Sequence, residues 1–389
     1  MKHVDFIITN PNHHVLITLP IARALQKNGV SVNYISLCEI RGFRTPEKIL
    51  NDTHISFKKF DFDRSKKDEK DDNESKKASW WDKVKSAAMR EVFWDIMIRP
   101  KFNKWFKNTT HAVLLNDTAY PGDFIIRYLS RKKITTILMQ EGIRFPLPVE
   151  DRNMYGSSGV DYLIAWGQKS ADYFKKMVKQ KTQVLHLGSP GFDKSLYLQQ
   201  SLDSVPDVIS KIAIFGNPID DQQFVSSKEK MAIYIDLART LMDYSKRHKR
   251  DLEIVFKNHP REASEVLRDR LEKNGLGHIR VFESSSDIDI VLNTVDAGIV
   301  FASTVGINVI LHGKKLAVVK LKNHDYLGDY VQDSVAYGLN MYSPEIDHQL
   351  DDFLGREHYH FRNYRRYLDH FASNSGRSDI VIAAFLKQL

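Results

Sequence analysis

At 389 residues the chain is long enough for two ordinary α/β domains or one large one. Its hydrophobic fraction of 42% and charged fraction of 27% are those of a globular chain, and no stretch approaches the roughly 18–20 uninterrupted apolar residues of a membrane span. The single cysteine excludes an intramolecular disulfide framework, and an N-terminus running straight into a strand-like segment leaves no room for a secretory leader, so the expected setting is cytoplasmic.

The first forty residues read as strand, loop, helix, strand. VDFIIT is a strand, NPNHH a loop, VLITLPIARALQKNG an amphipathic helix closed by Gly29, and VSVNYISL the next strand. This is the opening βαβ unit of a parallel sheet, whose ligands gather at the C-terminal ends of strands. Asn10, His13 and His14 occupy such an end and are candidate ligand-binding residues. Cys38, directly after the second strand, reads as a small buried core residue.

Residues 64–79 are almost purely polar and read as a mobile loop. A helix is expected over 80–107. Residues 76–107 hold nine Lys/Arg against three acids, with four of the five tryptophans (Trp80, Trp81, Trp94 and Trp105). Such interleaving suits an anionic partner, whether a lipid surface, a nucleic acid or an acidic glycan. It equally suits an amphipathic helix that packs its aromatics inward and leaves its lysines solvated.

Strand signals recur at 111–116, 134–140, 160–166 and 182–188. Residues 195–210, polar and carrying Pro206, read as an interdomain linker. The alternation then restarts with strands at 211–217, 251–258, 278–284, 297–303 and 315–321. Helices are expected over about 226–248, 261–274, 286–295 and 304–312. The last forty-five residues read as helical. Two successive α/β repeats describe two Rossmann-like domains with parallel sheets facing a central cleft. The expected division is 1–200 for the first domain (with a basic-aromatic insertion at about 64–107) and 210–340 for the second. Residues 341–389 are expected to pack helices back on the first domain.

The common phosphate and metal signatures are absent: no P-loop, no G-x-G-x-x-G after a strand, no H-E-x-x-H, no cysteine cluster and no G-x-S-x-G elbow. What remains is a set of polar residues at strand ends. Glu141, between Gln140 and Gly142, is a candidate general acid or base. Asp220 and Asp221 follow KIAIFGNPI, where a carboxylate can act as nucleophile or stabilise an oxocarbenium-like centre, or can simply cap a helix. His259 and Pro260 sit at a strand–helix junction between Lys257 and Arg261, and Ser303-Thr304 opens the next helix but one. Together these offer hydroxyls, an imidazole and helix N–H groups to a phosphate. Gly216 completes the candidate donor-nucleotide set.

In this order the motifs QEG (140–142), GSPGFD (188–193), FGNPIDDQQ (215–223), KNHP (257–260) and ASTVG (302–306) resemble bacterial capsule and lipopolysaccharide transferases of GT-B fold. The nearest resemblance is to the β-Kdo transferases that use CMP-Kdo. A looser one extends to polysialyltransferases and CDP-glycerol glycerophosphotransferases. It covers roughly residues 134–320. The resemblance implies a metal-independent, cofactor-free glycosyltransferase that moves Kdo or another 2-keto sugar acid from a CMP donor to a surface-polysaccharide or lipid-linked acceptor. It also implies that the first domain binds the acceptor, through Asn10, His13 and His14, and that the second binds the nucleotide-sugar donor, with His259 and Ser303-Thr304 on the nucleotide. Glu141 would serve the acceptor hydroxyl, and Asp220 or Asp221 would attack the anomeric carbon if the reaction retains configuration. Asn217-Pro218 departs from the Gln-Val-like pair of the capsule enzymes. In an inverting reaction Glu141 alone suffices and the Asp pair is structural.

The expected partners are a CMP-sugar, an anionic glycan or lipid-linked acceptor and, peripherally, the inner face of the plasma membrane, with no nucleic acid. A CDP-polyol phosphotransferase of teichoic-acid type, using His259 with His13 or His14, is the alternative enzyme, beside other nucleotide-sugar GT-B transferases. A non-catalytic nucleic-acid or membrane-binding protein would leave the ordered motifs without a purpose.

Overall fold

The apolar runs at the start of the chain are buried on both sides, as strands of a parallel sheet covered by helices must be. In the computed structural model, which describes residues 2–11, 13–60, 87–143, 155–193, 209–301, 303–326, 329–355 and 361–389, the chain divides into two units. The first comprises Met1–Glu141, Arg152–Asp193 and His370–Leu389, and the second Gly142–Asp151 and Lys194–Asp369. The expected loop at 64–79 and Trp80 and Trp81 lie outside the described residues, as does all of the expected linker except Ile209 and Ser210.

The first unit is built on β1 (His3–Ile8), β2 (Ser31–Ser36), β3 (Ser56–Lys59), β4 (His111–Leu114), β5 (Thr135–Met139), β6 (Tyr162–Ala165) and β7 (Gln183–His186). All pair in parallel, in the order β3-β2-β1-β4-β5-β6-β7. Alternation sorts the side chains: Val4, Phe6 and Ile8 of β1 join the core on one face, and Ile7 joins the core on the other. Helix α1 (His13–Lys27) begins earlier than the sequence suggests. Asn10 Oδ1 accepts the His13 amide at 3.0 Å, so both histidines enter its first turn instead of lying in a loop. Cys38 is buried with no exposed surface, and burial pushes its thiol up to about 12.

The basic-aromatic segment forms α2 (Ala87–Phe93), a π turn over Trp94–Ile98 and α3 (Arg99–Trp105). Trp94 packs against Phe102, Phe124 and Tyr128, and Trp105 against Phe60 and Phe102. Trp94 is therefore a core side chain and Trp105 packs half-buried against the same core, as the inward-facing amphipathic reading expects of the aromatics. Helix α4 (Gly122–Arg131) then follows β4.

The second unit restarts the pattern with β8 (Lys211–Phe215), β9 (Glu253–Lys257), β10 (Arg280–Phe282), β11 (Ala297–Val300), β12 (Lys315–Val319) and β13 (Tyr337–Leu339). They form a six-stranded parallel sheet ordered β10-β9-β8-β11-β12-β13. Helix α5 (Ser227–Arg247) starts with a capping box in which Ser226 and Glu229 satisfy each other's backbone amides. Helices α6 (Ser264–Lys273) and α7 (Val305–Leu311) follow β9 and β11. Helix α8 (Ile346–Leu354) joins the same core through Leu350, Phe353 and Leu354. The last helix, α9 (Ser378–Gln388), belongs to the first unit, where Ile382, Ala383 and Leu386 share a core with Val15 and Ile21 of α1. The short edge strands β3 and β13 escape sequence reading because SFKK and YGL carry no apolar run.

Candidate functional site

In each sheet the first strand is flanked by its immediate successor on one side and by a later strand on the other. Such reversal points lie between β1 and β4 and between β8 and β11. At these points the loops beyond the strand C-termini diverge and leave room for a ligand.

In the first unit three strand-end segments meet. His14 is 1% exposed, and its Nδ1 accepts the Thr9 amide at 3.2 Å. The neutral ring therefore carries its proton on Nε2 and donates it to Glu141 Oε1, also at 3.2 Å. Asn116, just past β4, donates from Nδ2 to Glu141 Oε2 at 3.2 Å, while its Oδ1 accepts the Thr118 and Ala119 amides. His13 donates through Nε2 to the Glu141 carbonyl. Asp117 anchors this corner: fully buried, it accepts the Gly156 and Ser158 amides, and burial pushes its carboxyl up against those bonds. The Glu141 carboxylate, 24% exposed, is thus oriented by two N–H donors and still open to solvent. Such a group can take a proton from a hydroxyl. Asn10, by contrast, serves as the cap of α1.

In the second unit the loops after β8, β9 and β11 are neighbours. A Cβ at Gly216 would stand 2.9 Å from Glu262 Oε2 and 3.3 Å from Asn258 Oδ1 and Tyr234 Oη, so a side chain there would displace the Glu262 carboxylate. Asn217 is held at both ends by Tyr234, whose hydroxyl accepts its amide and donates to its carbonyl. Asp220 accepts from Lys230 Nζ at 2.8 Å and from Ser227. Lys230 donates to Glu262 at 2.7 Å, and Glu262 Oε2 accepts the His259 amide at 3.2 Å. A chain of buried charges therefore ties the β8 loop to the His259 loop. Burial opposes ionisation of Asp220, yet the bonds from Lys230 and Ser227 outweigh it and hold the carboxyl below the usual range. Burial likewise opposes the Lys230 charge, and its two carboxylates more than compensate, holding it above the ordinary lysine value.

Half-buried His259 accepts the Arg261 amide at Nδ1, which leaves the Nε2 proton in the neutral ring. Pro260 is exposed. Arg261 pairs with Asp221 at 3.2 Å on the surface, an arrangement worth little in stability. Lys257 is 5% exposed, and its ammonium donates to the Asn258 and Ser284 carbonyls, so it ties β9 to the segment after β10. Ser303 Oγ accepts the Val305 amide, and its carbonyl accepts the Tyr330 hydroxyl. Thr304 Oγ1 accepts the Ile143 amide at 3.2 Å. Sequence reading missed Asn116, Lys230, Tyr234 and Glu262. Asn116 was the findable one, a polar residue closing the run HAVLL. Among the described residues no three His, Cys, Asp or Glu side chains gather as a protein-built metal site requires.

No protein-family model matches the sequence, and no curated protein matches it either. Solved structures match over the full length. MnaA of S. aureus bound to UDP has a TM-score of 0.62 at 14% identity, covering 100% of this chain and 98% of that one. MurG of Acinetobacter baumannii has a TM-score of 0.55 at 14% identity, covering 100% of both chains. A variant of the wall teichoic acid polymerase TagF soaked with CDPG has a TM-score of 0.55 at 16% identity, covering 100% of this chain and 88% of that one. At these identities the likeness speaks for the fold, which is GT-B.

Proposed function

We propose that this protein is a glycosyltransferase that moves a sugar from a nucleotide-activated donor to a hydroxyl of a surface-glycan or lipid-linked acceptor. The observation that carries the reading is the clamp of His14 and Asn116 on Glu141 at the reversal point of the first sheet. A carboxylate oriented there suits a general base that deprotonates the acceptor hydroxyl as the glycosidic bond forms. Asp220 is committed to Lys230, so in this reading it holds the donor loop and the reaction inverts configuration. His259 and the Ser303-Thr304 turn are assigned to the leaving phosphate, whose charge grows as the sugar departs. With Lys257 taken up by carbonyls, Arg261 supplies the nearby positive charge and His259 an Nε2–H donor.

The donor proposed is a CMP-activated 2-keto sugar acid such as CMP-Kdo, on the strength of the ordered motifs at residues 140–142, 215–223, 257–260 and 302–306. A CDP-polyol donor is the second reading. The paired His13 and His14 beside Glu141 favour it, as does the fold likeness to a polymerase soaked with CDPG. Thermal unfolding with CMP, CDP, UMP, UDP and GDP decides between them. A ligand at a hundredfold excess over Kd stabilises the native state by roughly 2–3 kcal/mol. A shift with CMP that vanishes in His259→Ala is expected. Preference for CDP transfers the assignment to the polyol reading, preference for UDP or GDP removes CMP, and silence with every nucleotide overturns the donor site.

A further inference from the structure

The helical run from Ala87 to Trp105 is apolar on two sides. Its inner side buries Trp94, Ile98 and Phe102 in the core of the first unit. Its outer side carries Met89, Val92, Ile96 and Met97, which are 52, 56, 66 and 43% exposed. Within α2, at about 100° per residue, Met89 and Val92 lie about 60° apart; in the π turn that follows, burial places Trp94 and Ile98 inward while Ile96 and Met97 stay on the solvent side. Isolated exposed apolar residues are ordinary, but a stripe of four is more than a solvated helix needs. The same run and its end carry Arg90, Arg99, Lys101, Lys104 and Lys107 against Glu91 and Asp95; the Asp95–Arg99 pair cancels, which leaves four cations against Glu91.

We infer that this face docks on the surface of an anionic lipid bilayer, with the run lying in the headgroup plane and the stripe entering the acyl boundary. An apolar stripe bordered by excess cations matches both layers of such a surface at once. A protein partner fits less well. The aromatic side chains that anchor protein interfaces face inward here, and the outward ones are methionine and aliphatic. Among the described residues no helix is long and apolar enough to cross a membrane, so the contact proposed is in-plane. The inference stands independently of the transferase reading.

The test is sedimentation of the full chain with vesicles of phosphatidylcholine alone and of equal parts phosphatidylcholine and phosphatidylglycerol. Binding to the mixed vesicles, weakened by added salt, is expected, with little binding to the neutral ones. The double substitution Val92→Glu, Ile96→Glu should lower the partition coefficient at least about tenfold. Its unfolding temperature should stay unchanged because both residues face water, and Ile96→Ser serves as a milder variant if it does not. Unaltered vesicle binding by these variants overturns the inference, as does a wild-type chain indifferent to both vesicles. Wild-type self-association abolished by the same substitutions, without vesicle binding, would make the stripe a contact between copies and also overturn it.

Discussion

Glu141 receives N–H donors from two residues that lie 127 and 25 positions away in the chain, and neither bond survives substitution of the carboxylate's partners. Glu141→Gln keeps the side-chain shape and removes the base. Transfer should fall by about 10²- to 10⁴-fold while the nucleotide-induced thermal shift stays intact. Full turnover by this variant would dismiss Glu141 from proton transfer. Lys230 presents a different case, because its side chain is 8% exposed and shared by two carboxylates. Lys230→Met leaves Asp220 and Glu262 facing each other without a cation and should cost roughly 3–5 kcal/mol in urea unfolding. The sign of the pH dependence follows from Asp220, whose folded carboxyl titrates below its unfolded value of about 3.9. Its stabilising contribution is complete above that value and is lost as pH falls through the lower folded one. Asp220→Asn should therefore flatten the loss of stability on acidification below about pH 4, which unfolding measured across pH 2–6 would show.

At the scale of elements, the C-terminal helix depends on a residue nearly two hundred positions earlier. Asp193 accepts the Gly376 amide at 2.7 Å, the Ser378 hydroxyl at 2.7 Å and the Asp379 amide at 3.4 Å. Burial pushes its carboxyl up, and those three donors act against that rise. It supplies from outside the cap that Arg377, at the N-cap position, does not provide. Asp193→Ala should destabilise the protein by about 1–2 kcal/mol and speed amide exchange across residues 378–388. Exchange as slow as in the wild type would show that packing alone holds the helix. The motif GSPGFD thus contains a structural carboxylate that its resemblance to transferase motifs does not reveal.

On the scale of the whole molecule, the last twenty residues complete the first unit, although they follow the second in sequence. A chain ending at residue 369 uncovers the face of α1 against which Ile382 and Leu386 are buried. Each such side chain is worth about 1.5–3 kcal/mol, so a loss of roughly 3–6 kcal/mol is expected. Calorimetry of the truncated chain should show the first unit melting early. Unchanged melting would mean that α9 is dispensable to that core.

The sequence by itself determined the α/β class and the doubled repeat. It also placed nearly every strand, because a parallel strand covered on both faces must be a short apolar run and such runs are local. It also brought out Glu141, His259 and Ser303-Thr304, since polar residues that end apolar runs stand at strand C-termini. What it could not reveal was which strand ends are neighbours. The placement of β4 between β1 and β5 is what brings His14 and Asn116 to Glu141. It took the fold, too, to join Lys230, inside a helix, to Asp220 and Glu262. Tryptophans 94 and 105 mark the same limit: composition leaves partner binding and inward packing equal, and the tertiary structure buries Trp94 in the core and packs Trp105 against it, leaving Ile96 outside. Local pattern states where a segment begins, ends and hides its apolar side. Which distant segments meet is settled by the packing of all of them at once, and that information belongs to no single stretch of sequence.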